Sequence, residues 1–202
     1  MSASIRLHRM IMHTDALGPF SRCAIWLQGC FRECPGCMAP STRPLDGGTL
    51  VPIDELLIQI KTVPDIEGIT ISGGEPFMQV DALHELLYRL RKETTLGVII
   101  YSGYYIDELR GLNNSKIDAI LDSLLDILID GLYDERLNDG VALRGSSNQT
   151  VHFLTERYRP YKAMYETPSR KVEAYVNNDE LFIVGVPDKA SLERWRKLED
   201  KY

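Results

Sequence analysis

Four short apolar runs each stop at a polar cluster carrying glycine, and this repetition leaves few folds open to the chain. Cys23 to Leu27 leads into Gln28-Gly29-Cys30, Gly68 to Ile71 into Ser72-Gly73-Gly74-Glu75-Pro76, Leu96 to Tyr101 into Ser102-Gly103, and Ile127 to Ile129 into Asp130-Gly131. The runs have the length and β-branched composition of strands. Between them, apolar residues recur at helical spacing: Ile53, Leu56, Leu57, Ile60; Leu83, Leu86, Leu87, Leu90; and Ile117, Ile120, Leu121, Leu124. Alternating strands and helices predict βαβ crossovers, so the expected class is α/β: a partial (βα) barrel of parallel strands. In such folds the loops at the carboxyl ends of the strands converge on one face, and that face is the expected site.

At 202 residues the chain can build one core of ordinary size. Residues 1–156 hold the alternating pattern and read as the core domain. Residues 157–202 read as a C-terminal extension. Within it, Arg157 to Arg170 carries Tyr158, Pro160, Tyr161, Tyr165 and Pro168 without periodicity and reads as irregular. Val172 to Val176 and Leu181 to Val186, separated by Asn177-Asn178-Asp179-Glu180, read as a β-hairpin. A helix starting near Asp188 then places Leu192, Trp195 and Leu198 on one side.

A formal net charge of -6 lacks the broad positive field that phosphate backbones attract, so nucleic acid is not an expected partner. No run reaches the length of a membrane span, and Arg6, His8 and Arg9 break any signal-peptide core near the N-terminus, so the expected location is cytoplasmic.

All four cysteines lie in the first 40 residues, at Cys23, Cys30, Cys34 and Cys37. The last three form a C-x3-C-x2-C spacing in a loop with Pro35 and Gly36, close enough to converge on one small object. In a reducing compartment such clustering points to metal or redox chemistry more than to disulfides. An iron-sulfur cluster is the leading reading, with zinc or a free-thiol cluster as alternatives; His8, His13, His84 and His152 show no zinc-finger spacing. Cys23 falls inside an apolar strand and reads as core. Three cysteines would leave one iron of a four-iron cluster open to a small ligand.

With Gly73-Gly74-Glu75-Pro76 one strand later, the sequence resembles the radical S-adenosylmethionine (SAM) superfamily. Within it the resemblance is to the activating enzymes of anaerobic ribonucleoside-triphosphate reductase. Gly18-Pro19 with Arg22, Gly29-Cys30, Cys34-Pro35-Gly36-Cys37, Ser72 to Pro76, Tyr101 to Tyr104, Asp130-Gly131 and Arg144 to Gln149 carry it, across roughly residues 13–155. The resemblance implies a [4Fe-4S] cluster on Cys30, Cys34 and Cys37, with SAM held by Gly36, Met38, Gly73, Gly74 and Glu75. Ser102 and Asp130, which share that edge, are candidates for touching SAM or substrate. It further implies reductive cleavage of SAM to a 5'-deoxyadenosyl radical, a glycyl radical enzyme as partner, and a low-potential electron donor such as flavodoxin or ferredoxin. Arg32 and Ala39 stand where that branch commonly has His and Asn, and Phe20 stands where Gly is usual. Two other readings are a stand-alone radical SAM enzyme acting on a peptide or small molecule, and a non-catalytic iron-sulfur or zinc protein.

Overall fold

The computed structural model describes residues 3–168, 170–177 and 180–199. Its strands are β1 (Ser4–Thr14), β2 (Arg22–Leu27), β3 (Thr49–Pro52), β4 (Gly68–Gly73), β5 (Gly97–Tyr101), β6 (Ile127–Asp130) and β7 (Thr150–Phe153), with β8 (Val172–Asn177) and β9 (Glu180–Gly185) forming a separate hairpin. The first seven make one sheet in the order β3-β1-β2-β4-β5-β6-β7. Its middle, β2-β4-β5-β6, is parallel, while β1, β3 and β7 pair antiparallel to their neighbours. The pairing therefore establishes a mostly parallel central sheet and does not establish a barrel. β1 escapes the apolar pattern because Arg6, His8 and Arg9 interrupt it and most of its residues are only half-buried.

Helices α1 (Ile53–Thr62), α2 (Val80–Glu93) and α4 (Ser115–Ala119, continued by one π-helical turn over Ile120–Leu124) form where the periodicity places them. A short α3 (Ile106–Gly111) precedes α4. All twelve residues of the three apolar stripes are buried. They meet one face of the sheet, where Cys23, Ile25, Ile69, Ile71, Val98, Ile100 and Leu128 point.

Because successive strand residues face opposite ways, Ala24, Ile99, Ile127 and Ile129 fall on the other face. The C-terminal residues cover them. Tyr158 packs against Ile99, Ile127 and Ile129, and Val184 of β9 packs with Leu17 and Ala24. The strands carry near-continuous apolar runs because both faces are buried. The segment read as irregular holds a 3-10 helix over Arg159–Tyr165. A last helix, α5 (Lys189–Glu199), buries Leu192. Of the side predicted for it, the Leu198 side chain lies outside the described residues, as do hairpin residues 178 and 179.

One polar bracket ties the two regions at the amino ends of the parallel strands. Arg22 is fully buried and donates to Thr70 Oγ1 at 2.8 Å, the Ile69 carbonyl at 2.7 Å, the Gly97 carbonyl at 3.1 Å, the Pro19 carbonyl at 3.3 Å and Tyr158 Oη at 2.9 Å. Every donor face of the guanidinium is used, which is the condition for burying it without a carboxylate. Phe20, where Gly is usual, keeps a positive φ of 60° and packs edge-on against Tyr161 of the extension, 5.1 Å between centroids. The aromatic contact offsets backbone strain that glycine would avoid. Among the described residues, no helix is long and apolar enough to cross a membrane.

Candidate functional site

The loops that leave the carboxyl ends of β2, β4, β5 and β6 wall a single cavity of about 150 Å³. Cys30, Cys34 and Cys37 line it together with Met38, Gly73, Gly74, Glu75 and Ser102. Of the residues singled out in the sequence, Gly36 and Asp130 are not among its walls.

Close backbone packing holds the cysteine loop against the Gly-Gly-Glu-Pro turn. Gly74 N–H donates to the Leu27 carbonyl at 2.8 Å, and Glu75 N–H to the Gly29 carbonyl at 2.9 Å. A Cβ at Gly74 would stand 2.2 Å from the Gly29 oxygen, and one at Gly73, whose φ is 102°, 2.5 Å from the Leu27 oxygen. Both glycines are therefore required by the approach of two chains, and a side chain at Gly74 pushes on the residue that precedes Cys30. Gly36, with φ of 74°, packs on Glu135: a Cβ there would meet the Glu135 carboxylate at 2.1 Å. A side chain at this position would have to displace Glu135.

Glu75 is buried at 1% exposure and joins three loops. Its Oε1 accepts from Phe77 N at 3.1 Å and Ser102 Oγ at 2.9 Å, and its Oε2 from Gly103 N at 2.8 Å. Burial raises its pKa, against these bonds and the nearby Arg32 charge, which work to lower it. A carboxylate has about four acceptor positions. Three are filled within the protein, on a residue that lines the cavity. Ser102 holds the carboxylate in place, and its hydroxyl also accepts from Tyr104 N at 3.1 Å.

Asp130 works behind the cavity. It accepts from Ile106 N at 2.8 Å and Thr150 N at 3.2 Å and pairs with His152 Nε2 at 2.9 Å. Burial pushes its pKa up, but the His152 bond and the two amides outweigh this and leave it below the usual carboxylate range. It thereby joins the loop after β5 to β7.

Residues without an assigned role in the sequence also meet here. Arg32 lines the cavity with its guanidinium 4.0 Å from the Tyr104 ring centroid, 3.6 Å from Glu108, and with a buried Nε that has no hydrogen-bond partner among the described residues. Its place between two cysteines and its departure from the branch's His were the available signals. Gln149, at the end of the Arg144-to-Gln149 run, donates to the Gly131 carbonyl at 2.7 Å and accepts from Gly145 N at 2.8 Å. Asn148 donates to the Leu132 carbonyl at 2.7 Å. This run braces the loop after β6.

The donor set decides what the cysteines fit. Cys23 is fully buried in β2, and burial drives its thiol to about 12. Burial also raises Cys30 and Cys34, and a bound metal would hold them as thiolates. Three thiols on one cavity are a soft sulfur donor set, of the kind that holds zinc or an iron-sulfur cluster.

Comparison with known proteins gives the class in the same terms: the family model described as a 4Fe-4S single cluster domain matches residues 16–152. The anaerobic ribonucleoside-triphosphate reductase-activating protein of Escherichia coli K12 is 34% identical over 145 residues, 68% of this chain and 91% of that protein. The protein of that name from Salmonella typhimurium is 34% identical over 158 residues, 74% of this chain and 99% of its own length. A putative glycyl-radical enzyme activating enzyme of Haemophilus influenzae is 35% identical over 104 residues, half of this chain and 40% of that protein. The chain belongs to this family of iron-sulfur activating enzymes.

Proposed function

We propose that this chain cleaves SAM reductively at a [4Fe-4S] cluster on Cys30, Cys34 and Cys37, and directs the radical to a glycine of anaerobic ribonucleotide reductase or a similar glycyl radical enzyme. The shared cavity carries this reading, because three thiols, a glycine-lined floor and one buried carboxylate open into the same space. The names of the relatives supply the partner. When bound, the cluster and SAM supply a one-electron cleavage to methionine and a 5'-deoxyadenosyl radical, chemistry that belongs to the cofactors.

The protein binds and orients. Glu75, fixed by Phe77, Ser102 and Gly103, offers its remaining acceptor position to the ammonium of the methionine end. Gly73 and Gly74 bring bare backbone to the carboxylate. Met38 stands at the cavity wall beside Cys37. Gly36 lets the cysteine loop pack on Glu135, and Asp130 fixes the turn that carries Ser102 and Gly103. No side chain is asked to act as a general acid or base. The electron comes from a low-potential donor of the flavodoxin or ferredoxin class.

Glu75→Gln tests the SAM assignment. It keeps the shape but turns a donor toward Gly103 N–H and removes the charge. Iron content should stay at the parent level, while 5'-deoxyadenosine formation with dithionite falls roughly 10- to 100-fold, the loss of one charge-assisted hydrogen bond. Parent-rate cleavage by this variant would place the ammonium elsewhere.

A further inference from the structure

Two cations stand in the wall of the cavity that the three thiols share. Among its described walls they are Arg32 and Arg43, and the carboxylate is Glu75. Arg32 lies midway between Cys30 and Cys34 in the cysteine loop. Its side chain is 16% exposed, against 40% for Arg43, which has Glu33 3.8 Å away.

Arg32 rests on aromatic rings, its guanidinium 4.0 Å from the Tyr104 centroid and 5.5 Å from that of Phe31. Its Nε is buried without a hydrogen-bond partner among the described residues, and its Nη2 is 3.6 Å from Glu108 Oε2, outside hydrogen-bond reach. That oxygen already accepts from Tyr105 N at 2.8 Å, and Glu108 is 47% exposed, so water screens much of its pull. A sheltered guanidinium with unspent donors costs free energy unless an anion meets it. Its charge is felt at the thiols: burial raises Cys34, while a bond from the Tyr133 amide and the Arg32 charge work to lower it.

We propose that Arg32 stabilises the reduced cluster and so sets the potential at which the cluster accepts its electron. The inference rests on the iron-sulfur activase reading above. A four-iron core on three thiolates is anionic before reduction and becomes more so after it. The electron comes from a low-potential donor, which is oxidised as the cluster is reduced; no bond forms or breaks and no proton is required. A cation in the cavity wall lowers the energy of that added charge, and local charge is one of the levers that set such potentials. Arg43, more open to water and beside Glu33, contributes less.

The test is a redox titration of the anaerobically reconstituted full chain without SAM, followed by the electron paramagnetic resonance of the reduced cluster. Arg32→Gln should shift the reduction equilibrium about tenfold toward the oxidised form, a fall of about 59 mV for a one-electron couple. Arg32→Lys, which keeps the charge, should stay within roughly threefold of the parent. Arg43→Gln should move the potential less than Arg32→Gln. Arg32→Met keeps the packing of the stem on Tyr104 and carries the neutral arm alone if Arg32→Gln does not retain its iron. Parent potentials in both neutral variants would overturn the proposal. So would a fall in Arg32→Lys as large as in Arg32→Gln, which would make the effect one of structure and not of charge. An unchanged potential with weaker binding of SAM to oxidised Arg32→Gln would also overturn it and give Arg32 to the SAM carboxylate. A parent that shows no one-electron cluster couple refutes the functional reading instead.

Discussion

Alanine at Cys30, Cys34 or Cys37 should abolish iron binding and all SAM cleavage, while alanine at Cys23 leaves both in place. The first three thiols line the carboxyl-edge cavity, whereas Cys23 is fully buried in β2 beneath the helices. A cubane on three thiolates binds about four irons per chain and cannot spare one of only three protein ligands. Cys23→Ala removes a single buried sulfur, at a cost of roughly 1 kcal/mol of stability. The measurement is iron and sulfide content with the visible absorption of the cluster. Loss of iron in Cys23→Ala with retention in Cys37→Ala would overturn the ligand set.

Removal of residues 157–202 should unfold the core and leave no separable radical SAM unit. Tyr158 fills the far face of the sheet over Ile99, Ile127 and Ile129 and accepts from buried Arg22, so the deletion opens that face and strips a partner from a buried cation. Arg170, just beyond it, donates to the carbonyls of Val141, Arg144, Gly145 and Pro187 and to Asn138 Oδ1, and so clamps the loop that braces the cavity. Tyr158→Ala alone should cost about 3–5 kcal/mol, the usual range for a fully buried aromatic residue. For a chain of this size that lowers Tm by roughly 6–20 °C, readable by calorimetry. A truncated chain that binds iron and cleaves SAM would show that the extension is dispensable surface.

What was legible in the sequence follows from where burial is one-sided. Each helix has one buried stripe, so Ile53, Leu56, Leu57 and Ile60 disclose α1 directly. The parallel strands are apolar on both faces and are equally plain. Edge strands are not: β1 mixes Arg6, His8 and Arg9 among its apolar residues, and β7 is four half-exposed residues that follow a polar run. Without them the strand count suggests a βα series, and the antiparallel margins go unseen. The site divides the same way. The cysteines and Gly73-Gly74-Glu75 are local in sequence, and their spacing gives them away. Asp130, which works through Ile106 N, and Gln149, which works through the Gly131 carbonyl, act over tertiary contacts that no local spacing encodes. Tyr158 reads from sequence as part of an irregular segment because its partner Arg22 is 136 residues away.

The central claim is that the radical made here passes to a glycine of another protein. The direct measurement is electron paramagnetic resonance on the reconstituted protein mixed with anaerobic ribonucleotide reductase from the same source, SAM and a low-potential reductant. The account predicts a stable doublet from a glycyl radical on the reductase, absent when SAM is omitted or Cys30 is replaced by alanine. No doublet with any glycyl-radical partner, together with 5'-deoxyadenosine formed in step with a mass change in a peptide or small molecule, would contradict it.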